Sequence, residues 1–338
     1  MNIVMSKEKE TIPILNDPYS QVITISNNEE RIMKRKKVCK NIMLISCWSL
    51  LVVTIISICI IVIVFIQNKK SHDSINLNLE DLTNNWEQST SWNIIKYIYG
   101  KDQVKFINTK GYENSIKVEY PIGSYSPSAG EINGFGGFDF YSQPHVLPDT
   151  TICFKYNVNF DDSFNWAKGG KLPGFWIGDI GASGGNHDTN GYSSRIAWKS
   201  NGIGEVYLYI PQNQNINYYN QEGYVSNDIY GDSLWRGVFQ FYKNKWNSII
   251  ISSTLNTFQG GVAMNDGKIE LTINNITRFF NQLKWTDNPS HKINGIMMDT
   301  FFGGSDVSWA TPITTWSYFR NFNLSKTCYS QTNEFWNT

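Results

Sequence analysis

Two tyrosines occupy alternate positions in "GEVYLYIP", residues 204–211, a stretch typical of a β-strand. Successive side chains of a strand point to opposite faces, so Glu205, Tyr207 and Tyr209 share one face and the aliphatic residues between them form the other. Two phenols on one face can serve as a proton acceptor and a proton donor. This pair is therefore a candidate for acid–base chemistry.

Three further residues could join the tyrosines. In "SSRIAWK" the same alternation places Ser193 and Arg195 on one face, and "KGGKLPGFW" places Lys171 after a glycine-rich turn, at the start of an extended run. If these strands are neighbours, one surface displays Lys171, Ser193, Arg195, Tyr207 and Tyr209. That surface would carry cations and phenols, with no evident pair of carboxylates.

This set of side chains fits one reaction better than another. Glycoside hydrolysis normally uses two carboxyl groups across the scissile bond. In β-elimination from a uronic acid polymer, a proton leaves the carbon beside the carboxylate, and a nearby cation or donor stabilises the charge that develops there. A tyrosinate could take the proton and a tyrosine could return one to the departing oxygen, without a metal or cofactor.

A tyrosine base requires a lowered pKa. Moving a phenol from a pKa near 10 to near 7 takes ~4 kcal/mol. One unit charge at about 4 Å with an effective dielectric of about 20 supplies that much. We therefore expect Arg195 or Lys171 to lower the pKa of a neighbouring tyrosine.

Several motifs, in a shared order and spacing, resemble polysaccharide lyase family 14, whose members include alginate and glucuronan lyases. They are "VEYPIGSYSPS", "GGFDFYSQP", "KGGKLPGF", Ser193-x-Arg195, Tyr207-x-Tyr209, "KWNSIIISSTLN" and "TFFGGSDVSWATP", within residues 92–322. The resemblance implies a β-jelly roll with a substrate cleft.

The resemblance also implies a catalytic set of one lysine, one serine, one arginine and two tyrosines. By motif these fall on Lys171, Ser193, Arg195, Tyr207 and Tyr209. In outline, the arginine and lysine would bind the uronate carboxylate, the serine would hydrogen-bond it, and the tyrosines would handle protons. Which tyrosine is the base, or whether the lysine is the base instead, stays open.

Other residues are weaker candidates for substrate binding. Trp176 and Trp309 could form a cleft wall, although most aromatic residues of a β-sandwich fill its core. His145 in "SQPHVLP" could line a cleft, but a loop histidine is the better interpretation. The stretch "NHDTNG" resembles the start of a calcium loop, yet its twelfth position is Ala197 where a glutamate is needed, so no metal site is predicted.

Short alternating runs must position these residues. From Trp92 to about Phe322 apolar and polar residues alternate in short runs, such as "TTICFKYNVNF", "GVFQFYK" and "KIELTINN", separated by Gly, Asn, Asp or Pro. Many short strands with frequent turns and almost no helical periodicity predict an all-β domain, a two-sheet sandwich or jelly roll, over residues 92–327. Residues 328–338 would form a C-terminal tail.

An uncharged apolar segment precedes this domain. Residues 42–66 are long enough to cross a membrane as a helix, whereas a cleaved signal peptide would have a shorter apolar core nearer the N-terminus. Residues 1–41 would be a cytosolic tail that is disordered or binds a partner, and the polar residues 67–91 would be a stalk.

The distribution of basic residues predicts the orientation. Those before the span are Arg31, Lys34, Arg35, Lys36, Lys37 and Lys40, and those close after it are Lys69 and Lys70. The positive-inside rule therefore predicts a type II membrane protein whose C-terminal domain is extracytoplasmic.

The exported part contains features compatible with secretion. Cys153 and Cys328 are its only cysteines, and they could form one disulfide or remain two thiols. Asn275 and Asn323 begin N-glycosylation sequons. Richness in Asn, Ile and Lys indicates an AT-rich genome, and a lyase on a type II anchor would suit a viral envelope.

Composition narrows the possible functions. The 338 residues carry a formal net charge of zero, which argues against a nucleic-acid binder. Three hypotheses remain: a membrane-tethered polyuronate lyase, an inactive lectin for an acidic polysaccharide, and a jelly-roll glycoside hydrolase. The hydrolase would need a second carboxylate to accompany Glu205.

Overall fold

The computed structural model describes residues 18–130, 134–187, 190–227 and 229–328. The chain divides into two compact units, Met1–Asn68 and Lys69–Thr338. Each unit is described by itself below.

The first unit consists of most of helix α1 (Pro18–Asp73). Within the described residues, this is the one helix that is long and apolar enough to cross a membrane. A signal sequence can have the same length and composition. At about 1.5 Å per residue, its uncharged stretch from 42 to 66 exceeds the ~30 Å thickness of a bilayer core. Within the expected tail over 1–41 the chain is helical from Pro18 onward, which contradicts disorder there and leaves the partner-bound alternative as a prediction; residues 1–17 lie outside the described residues.

The second unit is built from strands and two short helices, α2 (Leu79–Asn84) and α3 (Ile216–Tyr219). In chain order, the strands of the described residues are β1 (Ser74–Asn76), β2 (Ile94–Tyr99), β3 (Val104–Thr109), β4 (Tyr112–Tyr120), β5 (Phe138–Ser142), β6 (Thr151–Phe160), β7 (Gly169–Gly178), β8 (Gly191–Lys199), β9 (Ile203–Tyr209), β10 (Asp232–Gln240), β11 (Trp246–Thr254), β12 (Phe258–Gln259), β13 (Val262–Ala263), β14 (Gly267–Ile273), β15 (Ile276–Leu283), β16 (Ile293–Phe302) and β17 (Thr315–Ser325).

These strands form two large antiparallel sheets. One has eight strands in the order β15-β14-β11-β6-β17-β4-β3, with β1 also paired to β17. The other has seven, in the order β10-β9-β8-β7-β16-β5-β2, and β12 and β13 form a small hairpin. Alternation in the sequence matches this architecture because each strand turns its apolar residues toward the other sheet. The predicted all-β two-sheet sandwich with one N-terminal apolar helix is confirmed.

Aromatic residues dominate the core between the sheets. The fully buried Trp198 packs edge-on against Phe160, Phe164 and Phe302, with ring centroids 5.4 to 5.8 Å apart. Each such side chain buries a large apolar area, and the T-shaped contacts add to that stabilisation. The opposite face of the seven-stranded sheet is thereby left free for polar side chains.

The predicted stalk over 67–91 is wrong from Ser74 onward. Ser74–Asn76 pair with β17, and Leu77, Leu79 and Leu82 are buried in the core. Asn78 caps α2 by accepting a hydrogen bond from the Asp81 amide. The leucines are spaced so that an Asn-rich segment presents one apolar side to the sandwich, and the globular fold therefore begins well before Trp92.

The C-terminus is also tied into the fold. A disulfide joins Cys153 in β6 to Cys328, 175 positions along the chain. Ser325, three positions before Cys328, is the register partner of Cys153 in the eight-stranded sheet. The predicted tail thus begins at a fixed residue, and its remaining part, 329–338, lies outside the described residues.

Candidate active site

An open cleft of about 760 Å³ lies on the outer face of the seven-stranded sheet. Its floor and walls carry charged and hydroxyl groups contributed by six of the seven strands. The polar side chains lining it include Lys96, Asp139, Tyr141, Lys171, Arg195, Lys199, Tyr207, Tyr209, Tyr230, Ser233 and Arg236.

Four of the five predicted catalytic residues line this cleft together. The strands are neighbours as expected, since Arg195 is the register partner of Tyr207 across β8 and β9, and β7 pairs with β8. The Lys171 Nζ atom lies 3.8 Å from the centroid of the Tyr207 ring. The Arg195 guanidinium lies 5.6 Å and 5.7 Å from the ring centroids of Tyr207 and Tyr209. The predicted surface of cations and phenols therefore exists.

Ser193, the fifth predicted catalytic residue, is not among the residues that line the cleft. It lies on the same face, but it is fully buried and its hydroxyl donates a 2.6 Å hydrogen bond to the Ala182 carbonyl. The loop after β7 covers it. Ser193 therefore holds this loop on the sheet and does not line the cleft where a sugar carboxylate would lie.

Two loops also contact the tyrosine oxygens. The Gly185 amide donates to the Tyr209 hydroxyl at 2.9 Å, and the Gly231 amide donates to the Tyr207 hydroxyl at 3.0 Å. A Cβ atom at Gly231 would lie 2.6 Å from the Leu208 carbonyl oxygen, so only glycine fits at this approach. Because each phenol oxygen accepts from a backbone amide, its own proton is available for donation into the cleft.

The ionisation of these groups differs from the expectation. Burial raises the pKa of Tyr207, and Tyr209 raises it further, although Arg195 opposes this change. Burial lowers the pKa of Lys171 well below its usual value, and the charges of Lys199 and Arg195 lower it further. The pKa of Tyr207 therefore moves upward, which contradicts the expected lowering of a tyrosine pKa, and the downward shift of the Lys171 pKa favours the alternative left open above, in which the lysine is the base.

Sequence reasoning missed two carboxyl groups on this face. Asp299 in β16 accepts a 2.8 Å hydrogen bond from Arg195, and both side chains are almost fully buried, at 1% and 4% exposure. Asp139, its register partner in β5, lines the cleft. The expectation that the face lacks a pair of carboxylates is wrong. In "GGFDFYS" and "GIMMDTFF" the alternation of side chains places each aspartate on the face of the strand opposite to its apolar neighbours. This pattern could have identified both aspartates from the sequence.

Glu205 is a third carboxylate, and it forms ion pairs with two cations. It is fully buried, accepts from the Ser233 hydroxyl at 3.0 Å, and lies 3.3 Å from the Lys199 ammonium. Arg236 forms a second ion pair with it. The cluster brings two cations and one anion to the cleft wall, so it leaves a net positive charge there.

The three residues predicted to bind substrate are separated by the structure. Trp309 lines the cleft, and the ammonium groups of Lys168 and Lys199 lie 5.9 Å and 5.6 Å from its ring centroids. Trp176 is 4% exposed and packs against Tyr141 beneath the surface. His145 is exposed in the turn after β5, outside the residues that line the cleft.

A different histidine lies near the tyrosines. The His187 ring stacks on Tyr209 with centroids 5.1 Å apart, and its Nε2 lies 3.1 Å from the Ile229 carbonyl oxygen. Part of the rejected calcium motif around it, residues 188–189, lies outside the described residues. Where the chain is described, no group of three or more His, Cys, Asp or Glu residues could hold a metal ion.

Comparison with known proteins identifies the family. A model of polysaccharide lyase 14 matches residues 108–322, which is more than half of the chain. The chain belongs to polysaccharide lyase family 14. The resemblance seen in the motifs is thereby confirmed, and this family member is a polysaccharide lyase.

Solved structures of related enzymes share the fold. A marine family 14 alginate lyase from Aplysia kurodai is 32% identical, with a TM-score of 0.61, covering 68% of this chain and 89% of its own. A Chlorella virus alginate lyase is 28% identical, with a TM-score of 0.64, covering 75% and 99%. The alginate lyase Aly36B, at 21% identity and a TM-score of 0.56, covers 75% and 97% and supports the fold alone. No curated protein matched this lyase.

Proposed function

We propose that this lyase cleaves a uronic acid polymer, alginate-like or glucuronan-like, by metal-independent β-elimination while anchored in a membrane. One observation carries the proposal: the Lys171 Nζ atom lies 3.8 Å from the ring centroid of Tyr207, with the buried Arg195 guanidinium 5.6 Å from the same ring, and burial lowers the pKa of the lysine while it raises that of the tyrosine. The two alginate lyases at 32% and 28% identity support an acidic polysaccharide as substrate.

Lys171 is the proposed base. Burial lowers the pKa of Lys171 well below its usual value, so its amine, in the neutral form, can take the proton from the carbon beside the uronate carboxylate. The C–H electron pair becomes the new carbon–carbon double bond as the glycosidic C–O bond breaks. The lysine ends the step as an ammonium ion.

Tyr207 is the proposed acid. Its raised pKa keeps the phenol protonated, and its oxygen already accepts the Gly231 amide, so its proton can pass to the departing glycosidic oxygen. After the step, transfer of the proton from the ammonium ion to the phenolate, directly or through solvent in the open cleft, restores the starting state.

Arg195 is the proposed partner of the uronate carboxylate. It lines the cleft, and Asp299 fixes its position through the Nη1 atom. Negative charge builds on the carboxylate as the proton leaves, and a preorganised donor stabilises that charge more than it would in water. The Glu205 cluster adds further positive charge along the wall.

The chemistry is tested with full-length protein in detergent, incubated with alginate and with glucuronan while the ultraviolet absorbance of the unsaturated product is followed. We expect product from the wild type and none from Lys171→Ala, whereas the control Lys105→Ala, an exposed lysine of the other sheet, behaves as the wild type. Saturable binding without product would favour a lectin, and reducing ends without absorbance a hydrolase. Activity that survives in Lys171→Ala would refute the base assignment, and loss of activity in a chelator would refute metal independence.

The anchor and orientation are a separate part of the proposal. The apolar stretch of α1 follows a basic segment, which under the positive-inside rule keeps the N-terminus in the cytosol and exports the sandwich. The Cys153–Cys328 disulfide supports an oxidising compartment. The Chlorella virus relative supports a viral setting, such as an envelope. Protease added to sealed right-side-out vesicles should digest the exported sandwich. Protection of the sandwich in these vesicles would overturn the proposed orientation.

A further inference from the structure

Two aspartates lie side by side at the floor of the cleft. Asp139 in β5 and Asp299 in β16 are direct register partners on the same face of the sheet. Directly opposed residues of an antiparallel pair have Cβ atoms about 4.5–5.5 Å apart. Their carboxyl groups therefore interact strongly, with Asp299 fully buried and Asp139 half-buried at the cleft.

Positive charge at this site is insufficient for two ionised carboxylates. Arg195 bonds Asp299, while the Oδ1 atoms of both aspartates are buried without a hydrogen-bond partner in the described part of the chain. Lys96 in β2 is exposed, and its charge acts on Asp139 less than Arg195 does. Arg195 is committed to Asp299, and the charge of the nearby Lys171 also acts on Asp299.

The remaining groups that face Asp139 do not favour its ionisation. The Tyr99 hydroxyl is buried and has no hydrogen-bond partner among the described residues, and burial of Tyr99 and Tyr141 raises the pKa of both phenols, with Asp139 contributing. Burial raises the pKa of Asp139 well above its usual value, and Asp299 raises it further. Like charges at this separation do not both ionise, so the pair retains one proton.

We propose that Asp139 faces the cleft as a neutral carboxylic acid and donates a hydrogen bond to the carboxylate of the sugar being cleaved. This role rests on the proposed action on polyuronates. An ionised aspartate at this place would repel that carboxylate, whereas a protonated one supplies a donor that strengthens as negative charge develops on the sugar. Arg195 and Asp139 would then hold the same carboxylate from β8 and β5.

Two variants separate a donor from a merely structural residue. Asp139→Asn keeps an N–H donor that does not titrate, and Asp139→Ala removes the donor. Loss of one such donor costs roughly 100- to 1000-fold in rate, so we expect a loss of that size in kcat/KM for Asp139→Ala. Asp139→Asn should retain at least about tenfold more activity than Asp139→Ala, as expected for a site where hydrogen-bond donation matters.

The pH dependence gives the second readout. The wild type needs the protonated acid, so its activity should fall as pH rises through the raised pKa of the pair, and this alkaline fall should be absent or displaced in Asp139→Asn. Equal impairment of both variants, with the alkaline fall unchanged, would overturn the proposal. A wild type inactive on both polymers would instead refute the proposed function, and this inference with it.

A stability measurement does not depend on activity or on a folded alanine variant. An aspartate with a raised folded-state pKa stabilises the fold less as pH rises above its unfolded pKa and through the raised value. The thermal midpoint of Asp139→Asn should therefore gain on that of the wild type between acidic and alkaline pH. A constant difference between the two midpoints would show that Asp139 is not protonated in the fold.

Discussion

The buried pair of Arg195 and Asp299 makes a sharp prediction about stability. Removing one member of such a pair leaves an uncompensated buried charge and costs about 3–5 kcal/mol. Arg195→Met leaves Asp299 beside Asp139 without the cation that hydrogen-bonds it, and their pKa values should rise further because Arg195 opposes the raised pKa of both. The loss of stability should therefore be small near pH 5, where the carboxyl groups can remain protonated, and large near pH 8.

The expected size can be worked out. For a folded unit of more than about 200 residues, 1 kcal/mol corresponds to roughly 2 °C in the thermal midpoint. Arg195→Met should thus lower the midpoint by about 6–10 °C near pH 8. The double variant Arg195→Met/Asp299→Leu replaces the pair by apolar side chains and should recover most of this loss, since such replacements are often neutral or stabilising. It should nevertheless have no lyase activity.

The assay is differential scanning calorimetry of the full chain in detergent at both pH values. Arg278→Met is a matched control because Arg278 pairs with Glu222 at the surface, with 39% and 64% of the side chains exposed. Surface pairs contribute about 1 kcal/mol or less, so this control should change little at either pH. Equal destabilisation by Arg195→Met at both pH values, or a double variant no more stable than the single one, would refute the reasoning.

Three further predictions concern the disulfide, the cleft wall and modification. Cys328→Ser opens a loop of 175 positions, for which the chain-entropy model predicts a loss of about 5 kcal/mol; urea unfolding of the variant should match that of reduced wild type, and an unchanged urea midpoint would contradict it. Trp309→Ala should raise KM several-fold by removing a cleft wall, whereas exposed His145→Ala should leave steady-state kinetics unchanged; the reverse pattern would show that the cleft is misassigned. Asn275, which is exposed in the β14–β15 turn, should carry a glycan, whereas Asn323, whose side-chain amide donates to neighbouring strand residues, should not. Treatment of the folded chain with a glycosidase should therefore change its electrophoretic mobility. A mobility shift that persists in Asn275→Gln would refute this assignment.

Strand alternation was enough to predict much of the fold and the site. The period of two in "GEVYLYIP" and "SSRIAWK" placed Arg195, Tyr207 and Tyr209 on one surface, because a half-buried sheet fixes which side chains face inward. Lys171 joined them through the neighbouring strand. These placements follow from local geometry and strand adjacency alone.

The rest depended on contacts that a local pattern does not contain. Ser193 lies on the correct face, yet a loop folds over it. The ionisation of Lys171 and Tyr207 depends on burial, which outweighed the charge effects that were expected to lower the tyrosine pKa. The early start of the fold was missed because three leucines among asparagines, Leu77, Leu79 and Leu82, give only a weak hydrophobic pattern in the sequence. Their burial becomes evident only when β1 is seen to pair with β17.

The pairing of β1 with β17 has a mechanical consequence. Ser325 is the register partner of Ser74 on one side and of Cys153 on the other, and Cys153 is covalently linked to Cys328. Tension applied through the N-terminal segment would thus reach the sandwich at a row already secured by a covalent cross-link. Under the proposed membrane anchoring, a pull along the N-terminal segment would break the three-residue pairing of β1 with β17 before it loaded the strands that carry the cleft.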